Sequence, residues 1–190
     1  NASQVIVTMG EHNTYLLEGQ QINDIEIDGA NRKWFATNNS GVVVTSENGT
    51  EEIHHFTSEN SPLFSNKVID IEMNDVTGEV FFATEKGLIS LRSESTQGNM
   101  DFSEVLVFPN PVKPDYSGPI TIKGLITDAV VKITDISGNL IYETVALGGQ
   151  AVWDGKSFDG QKAHTGVYLV FCSDKDGTMS HVTKLLFVRG

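Results

Sequence analysis

The sequence predicts an all-β protein made of two units with different architectures, and three features of the chain lead to this prediction. Much of the first hundred residues is an internal repeat, whose two copies are offset by 46 residues. From about residue 104 the chain changes to some seven short apolar strands separated by turn residues. The polar stretch 93–101 lies between these parts as a candidate linker. We therefore divide the chain into residues 1–101 and 102–190.

The repeat predicts blades of a β-propeller. In both copies an inner strand is followed by a turn, an aromatic second strand that ends in Ala-Thr, a glycine turn and a third strand. A period of about 40 to 50 residues with several strands per unit is typical of propeller blades. Residues 51–56 are predicted as the outer strand of the first full blade, and residues 4–9 and 13–18 as strands of a preceding blade. The matching segments are 22–27 with 68–73, 34–37 with 81–84, and 41–43 with 87–89.

Two blades cannot close a propeller, because closed propellers have about four to eight blades. Open blade faces would leave apolar surface and sheet edges exposed to solvent. The chain also begins at Asn1 without a methionine. We therefore expect it to be the C-terminal part of a larger propeller protein, whose export signal or membrane anchor lies outside this sequence.

The second part of the chain predicts an immunoglobulin-like β-sandwich. Pro109 and Pro111 end its first strand, and since neither can donate a ladder hydrogen bond, this strand lies at an edge or a corner. Short strands separated by turns are typical of such a sandwich, here without the cysteine pair of antibody domains. The predicted strands are 104–108, 119–125, 129–135, 139–147, 151–153, 166–173 and 181–189.

The stretch 153–160 is predicted to be a turn between two sandwich strands, with Trp153 packed beneath it. Two Asp-x-x-Gly turns follow Trp153, and Gly166 then opens an apolar strand. Alternation along residues 167–172 gives two apolar faces, which predicts a strand buried on both sides. Cys172, the single cysteine, is interpreted as a small core residue, and no internal disulfide is possible.

Composition excludes several classes of partner. The formal net charge is −12, and most of the acidic excess lies in the first hundred residues. An acidic chain without a basic stripe argues against nucleic acid and against binding to anionic lipid, since both need clustered Lys and Arg. No apolar run approaches the roughly 18–20 residues of a membrane span, so we expect no direct membrane insertion.

The sequence predicts no catalytic residue, no cofactor and no metal site. His54 and His55 would point to opposite faces of a strand, and His12, His164 and His181 are isolated in the sequence. No nucleophile elbow, phosphate loop or dinucleotide fingerprint is present. We therefore expect a protein that is not an enzyme.

Two groups of residues leave alternatives open. Asp154 and Asp159 could hold calcium at the tip of the sandwich or cap backbone amides, and the stretch 174–177 starts like a calcium loop but lacks the later Glu. The aromatic pairs at 34–35 and 81–82 could stack on sugars if exposed. At alternating positions of a strand, we expect one ring of each pair to lie in the core.

Two family resemblances follow from these motifs. The stretch 60–68, with Phe81-Phe82-Ala83-Thr84 and Gly87-Leu88, resembles the repeats of two-component regulator propeller proteins, although Ala36 and Ala83 replace the usual glycine. The chain from 105 to 189 resembles type IX secretion C-terminal domains of Bacteroidetes-type bacteria and the related domain of flagellar hook-capping proteins. The elements that match are 107–111, 131–135 with Gly138, 153–155 with Gly160, 166–168 and Lys184.

The two resemblances imply a non-catalytic component of a type IX secretion and cargo-attachment complex at the cell surface. They imply export to the extracellular face of the outer membrane. The implied partners are other type IX outer-membrane proteins and surface lipopolysaccharide or glycan. Two alternatives remain: a secreted cargo whose C-terminal domain is an export signal, and a glycan-binding or glycan-sensing propeller protein.

Overall fold

The structure, a computed structural model, describes residues 5–9 and 12–189. Within these residues every regular element is a β-strand, which confirms the all-β prediction. The chain divides into two compact units, Asn1–Ser93 and Glu94–Gly190. The predicted strand from residue 4 begins outside the described residues.

The first unit contains three antiparallel sheets. The hairpin β1–β2 comes first, followed by a four-stranded sheet of order β3-β4-β5-β6 and a three-stranded sheet of order β7-β8-β9. Each strand pairs with its neighbour in sequence, as short turns allow. The strands are β1 Ile6–Met9, β2 His12–Tyr15, β3 Ile22–Ile27, β4 Lys33–Thr37, β5 Val42–Thr45, β6 Glu52–Phe56, β7 Val68–Asn74, β8 Glu79–Thr84 and β9 Gly87–Arg92.

The two sequence repeats pair their strands in the same register. In the first repeat Ile22 lies opposite Thr37, and after a register shift Ile25 lies opposite Phe35. In the second repeat Val68 lies opposite Thr84, and after a shift at the same point β7 continues along β8. A register shift at the same position is stronger evidence of structural equivalence than a shared strand order. The repeat found in the sequence is therefore also a structural repeat.

One apolar core joins the two repeats of the first unit. Trp34 on β4 faces Phe82 on β8 with ring centroids 6.3 Å apart, and it stacks on Phe56 at 6.0 Å. Val44 and Ile71 are fully buried beside these rings. The burial of these apolar side chains is the main stabilising contribution to the first unit.

A buried ion pair closes the turn between β3 and β4. Asp28 accepts hydrogen bonds from the backbone N–H groups of Ala30 and Arg32, at 3.0 and 2.9 Å. Its second oxygen accepts from Arg32 Nε at 2.6 Å and from Trp34 Nε1 at 3.1 Å. Arg32 reaches Ser93 Oγ at 3.2 Å, which ties the turn to the end of the unit. Both charged side chains are buried, so each depends on the other for compensation.

The second unit contains a three-stranded sheet of order β10-β11-β14 and a four-stranded sheet of order β13-β12-β15-β16. Every pairing is antiparallel. The strands are β10 Leu106–Phe108, β11 Ile120–Lys123, β12 Val130–Asp135, β13 Leu140–Val145, β14 Gln150–Trp153, β15 Gly166–Ser173 and β16 Ser180–Phe187.

Both sheets of the second unit contribute to one core, as expected of a β-sandwich. Trp153 is fully buried, and its ring lies 5.8 Å from Tyr168, 6.1 Å from Phe187 and 6.2 Å from Tyr142. Its indole N–H donates to Lys156 O at 2.6 Å, inside the turn that follows β14. Trp153 therefore packs beneath that turn, as predicted.

The polar stretch that begins at residue 94 is part of the second unit. Thr96 forms a β-bridge with Gly148, and Asn99 forms one with Ile126. The Gly149 N–H donates to Thr96 O at 2.8 Å. Because these backbone bonds fix the stretch, it does not behave as the free linker expected from its polar composition.

Two prolines and an asparagine cover the end of an edge strand. Pro109 and Pro111 both follow cis peptide bonds, directly after the edge strand β10. Between them, the Asn110 side chain donates to Lys184 O at 2.8 Å and accepts from Leu186 N–H at 3.0 Å. The Asn110 amide and the backbone of Val112, which forms a β-bridge with Phe187, thus cover the end of β16 in the way a neighbouring strand would.

The prediction that β15 is buried on both sides is wrong. Tyr168, Val170 and Cys172 are buried, but Val167 and Phe171 on the other face are exposed. The three-stranded sheet covers one face of the four-stranded sheet within the second unit. Apolar alternation cannot show how many sheets lie against a strand, because it reports only which residues share a face.

Candidate functional site

The histidines and carboxylates do not assemble into a metal-binding group in the described part of the chain. No set of three or more His, Cys, Asp or Glu side chains there could hold a metal ion. His54 and His55 lie opposite neighbouring residues of β5 and so point to opposite faces. His55 contacts Ser40 O at 2.7 Å, and His54 stacks on Phe56. The side chain of His12 lies outside the described residues.

The turn aspartates cap backbone amides. Asp154 accepts from Lys156 N–H at 2.9 Å, and Asp159 accepts from Ser157 Oγ at 2.5 Å and Gln161 N–H at 3.2 Å. Asp174 accepts from the Thr178 hydroxyl and from Met179 N–H. Hydrogen bonds from the Ser157 and Thr178 hydroxyls lower the pKa of Asp159 and Asp174, since they favour the charged carboxylate. Of the two interpretations left open, the structure supports capping.

The aromatic pairs of the repeats are less available for stacking on a ligand than the sequence predicts. Trp34 and Phe35 are both buried, whereas we expected one ring of this pair in the core. In the second repeat Phe82 is buried and Phe81 is half-buried, as expected. Val43, which lies opposite Phe35 on β5, is also buried, so both faces of the first repeat contain buried apolar residues. The alternation of residues in these strands did not indicate that the face carrying Phe35 and Val43 would also be buried.

Cys172 lies on the buried face of β15, between the two sheets. Burial raises the pKa of its thiol from 9.0 to about 12. A thiol that remains protonated is a poor nucleophile, because the thiolate is the reactive form. The placement agrees with the interpretation of Cys172 as a core residue.

Cys172 should be unreactive until the second unit unfolds. The thiol has a higher pKa in the folded state than in the unfolded state, so its protonated form favours folding. This contribution to the free energy of unfolding is fully present below pH 9 and is lost as the pH rises towards about 12. A thiol-specific reagent at pH 8 should label the chain in denaturant and not in buffer. Above pH 9 the stability of the second unit should fall more steeply than in Cys172→Ala. Rapid labelling of the folded chain would contradict the burial.

The exposed side of the four-stranded sheet is the strongest candidate binding surface. We call it the outer face; it is defined by side chains that alternate with the buried ones on β12, β13, β15 and β16. Phe171 lies opposite Val182, and Val167 lies opposite Leu186. All four side chains are 38–51% exposed. The outer face consists of Val130, Lys132, Glu143, Val145, Val167, Leu169, Phe171, Val182, Lys184 and Leu186.

The outer face is mostly apolar and carries three charged side chains. Lys132 pairs with Glu143 at 3.8 Å, and Lys184 lies opposite Leu169, between Val182 and Leu186 on the edge strand β16. Exposed antiparallel sheets usually alternate apolar-in with polar-out, so a mostly apolar outer side is unusual. A contiguous exposed apolar surface is typical of a protein interaction site.

The second unit matches a known family of domains. Residues 106–187 match the sequence profile of the secretion system C-terminal sorting domain. This range contains all seven strands of the second unit. The match is to the kind of domain that the sequence motifs of the second unit predicted.

A solved structure extends the similarity to nearly the whole chain. The chain is 31% identical to PorZ, described as an essential bacterial surface component of the type-IX secretion system of Porphyromonas gingivalis. The match covers 98% of this chain and 25% of the PorZ chain, with a TM-score of 0.65. The chain is thus PorZ-like, and it spans about a quarter of the length of PorZ.

A second solved structure is more distant. It is the extracellular domain of a putative one-component system from B. thetaiotaomicron, 12% identical, with a TM-score of 0.32 over 93% of this chain and 26% of that one. None of the curated proteins compared with the chain matches it. Among the described residues, no helix is long and apolar enough to cross a membrane.

Proposed function

We propose that this chain is part of a non-catalytic, cell-surface component of the type IX secretion and cargo-attachment machinery. The observation that carries the proposal is the combination of a sorting domain at residues 106–187 with a PorZ-like first unit. The sorting domain supports export towards the outer membrane. Other secretion-system proteins at the outer membrane are the proposed partners, and surface lipopolysaccharide is a further proposed ligand.

We also propose that the first unit consists of two blades of a larger propeller. Asp24 on β3 accepts a hydrogen bond from Ile71 N–H on β7 at 3.0 Å, so a carboxylate of one repeat binds the backbone of the next. Asp70 is the equivalent residue of the second repeat, and no hydrogen bond to its side chain is found among the described residues. Ile69 and Leu88 are exposed beside it. A further repeat would supply both the missing donor and the missing apolar contact.

The outer face is the proposed docking surface of the second unit. It carries two apolar cross-strand pairs, Phe171 with Val182 and Val167 with Leu186, on either side of Leu169 and Lys184. A partner that covered these side chains would gain about 25 cal/mol for each Å² of apolar surface removed from water. The proposed division is therefore between a propeller in the first unit and an attachment module in the second.

Deletion of the gene in its source organism tests the proposed role. Loss of a machinery component should reduce the secretion of many cargo proteins and their attachment to the cell surface together. Surface proteomics of the deletion strain, compared with a strain complemented by the natural gene, measures both. Normal secretion and normal attachment in the deletion strain would reject the proposal.

Complementation with charged variants tests the outer face. Phe171→Glu combined with Val182→Lys removes the apolar pair and places opposite charges across two adjacent strands, which preserves sheet pairing. We expect this variant to fold with a melting temperature within a few degrees of the natural protein and to fail to restore cargo attachment.

The matched control carries the same two charges elsewhere on the second unit. Met100 and Ile136 are highly exposed and lie outside the outer face, so Met100→Glu with Ile136→Lys should restore attachment. Full restoration by the Phe171/Val182 variant would show that the outer face is not a docking surface.

A second candidate function is that of a secreted cargo whose C-terminal domain is an export signal. The match to a sorting domain favours this alternative as well, because such a domain could belong either to cargo or to the machinery. The two differ in the fate of the domain: cargo would lose residues from about 104 onwards, whereas a machinery component would retain them.

A further inference from the structure

The edge of the four-stranded sheet at β13 has no partner strand among the described residues. β13 pairs only with β12, and no backbone hydrogen bond leads from its other edge to a described residue. Ala146 N–H donates to Ala129 O at 2.8 Å, and antiparallel backbone bonds alternate along a strand. The backbone N–H and C=O groups of Glu143 and Val145 therefore point away from β12, towards the open edge.

The other sheet edges of the second unit are short or covered. β10 has three residues and is followed by two prolines, and β14 has four residues. Asn110 and Val112 cover the end of β16. β13 has six residues, with neither proline nor lysine among them. Natural sheets protect their exposed edges because a free edge pairs with other chains, so the unprotected edge of β13 is suited to accept a strand.

The side chains beside this edge differ between the two faces of β13. On one face, Tyr142 lies 6.3 Å from the ring of Phe158, which is 64% exposed and lines an open hollow of about 400 Å³ together with Leu140. On the other face, the carboxylate side chain of Glu143 is 41% exposed. A strand beside β13 would therefore meet apolar rings on one face and a carboxylate on the other.

We propose that an extended peptide segment of a partner protein adds to β13 as a fifth strand, with apolar and basic side chains at alternating positions. The backbone of the segment bonds to the free groups of Glu143 and Val145, as in other cases of strand addition to a sheet edge. Its apolar side chains lie against Tyr142 and Phe158, and a basic side chain pairs with Glu143 across the two strands.

Charge favours a basic segment over a second copy of this chain. A second copy would bring another chain of net charge −12 to an edge that already carries a carboxylate. Lysine or arginine in the added strand lowers this repulsion and matches Glu143. The inference goes beyond the proposed function, because it depends on the backbone of β13 and not on a role in type IX secretion.

A short synthetic peptide in which valine and lysine alternate is the probe. Its control has the same composition, with the valines and the lysines in two separate blocks, so that both peptides carry the same charge. Fluorescence anisotropy with the full chain measures binding at peptide concentrations up to about 1 mM. We expect the alternating peptide to bind at least about tenfold more tightly than the control, because only alternation places all lysines on the Glu143 face.

Two substitutions at one position separate the backbone from the charge. Glu143→Pro removes the N–H that faces the open edge and keeps the hydrogen bonds to β12, so it should weaken peptide binding about tenfold or more. Glu143→Ala keeps the N–H and loses only the carboxylate, so it should weaken binding by about fivefold at most. Phe171→Glu with Val182→Lys, on β15 and β16, should leave the affinity unchanged. Thermal melting verifies that each variant folds.

Amide hydrogen exchange measured by NMR tests the site in the natural chain, independently of any variant. The amides of Glu143 and Val145 should exchange rapidly in the free chain and slowly when the alternating peptide is bound. Unchanged exchange of both amides, no binding of the alternating peptide, or equal affinities of Glu143→Pro and Glu143→Ala would overturn the inference.

Sedimentation of the natural chain tests the competing occupant. A dimer that becomes a monomer in Glu143→Pro would assign the edge to a second copy and overturn the proposal of a peptide partner. A monomer in both is the expected result. Absence of peptide binding, together with loss of cargo attachment on deletion of the gene, would reject this site alone and leave the proposed function standing.

Discussion

Replacing Trp153 with alanine should destabilise the second unit by about 3–5 kcal/mol. The ring is fully buried, contacts Tyr142, Tyr168 and Phe187, and donates its N–H to Lys156 O in the following turn. Alanine would leave a cavity between the two sheets and an unpaired carbonyl in the turn. Hydrogen exchange of the full chain, followed by mass spectrometry of peptides from β15, measures the effect on this unit separately.

The control for this substitution is Phe158→Ala. It removes an exposed aromatic ring that lies 6.3 Å from Tyr142, so the loss in free energy of unfolding should be no more than about 1 kcal/mol. If exchange from β15 in Trp153→Ala is as slow as in the natural chain, Trp153 does not organise the core of the second unit.

Replacing Arg32 with alanine should destabilise the first unit by about 3–5 kcal/mol. The substitution leaves Asp28 buried without its charge partner, and it removes the bond from Arg32 to Ser93. Chemical denaturation followed by circular dichroism, with exchange of peptides from β4 to assign the transition, measures the loss.

A double variant separates the destabilisation caused by an unpaired buried charge from that caused by the lost contacts. Asp28→Asn with Arg32→Ala removes both charges, so it should be less destabilised than Arg32→Ala alone. Lys67→Ala breaks an exposed ion pair with Glu85 at 3.9 Å in the same unit and should cost no more than about 1 kcal/mol. If Arg32→Ala and Lys67→Ala lose the same free energy of unfolding, burial does not make the Asp28–Arg32 pair more important than an exposed ion pair.

The sequence predicted much of the fold because its signals were local and repeated. The offset of 46 residues located the equivalent strands, and Gly166–Ser173 was predicted with its observed bounds. Turn residues also marked the ends of most sandwich strands to within two residues. Trp153 beneath its turn was predictable because the two Asp-x-x-Gly turns follow it directly in sequence.

Other features could not be predicted, since they depend on contacts between distant segments. The residues around Thr96 and Asn99 are polar, and only their bridges to Gly148 and Ile126 place them in the second unit. The exposure of Phe171 and Val167 was also missed, because an apolar face looks the same in sequence whether a sheet covers it or not. The buried pair of Asp28 and Arg32 resembles an ordinary polar turn until Trp34 is placed over it.

The fate of the second unit in the living cell tests the proposed function most directly. Intact-mass measurement of the natural protein, released from the surface of its source organism, gives the C-terminal end of the mature chain. A component of the machinery keeps its sorting domain, so we expect a mass that includes residues 106–187. A mature chain that ends before residue 106 would contradict this function and identify the domain as a cleaved export signal.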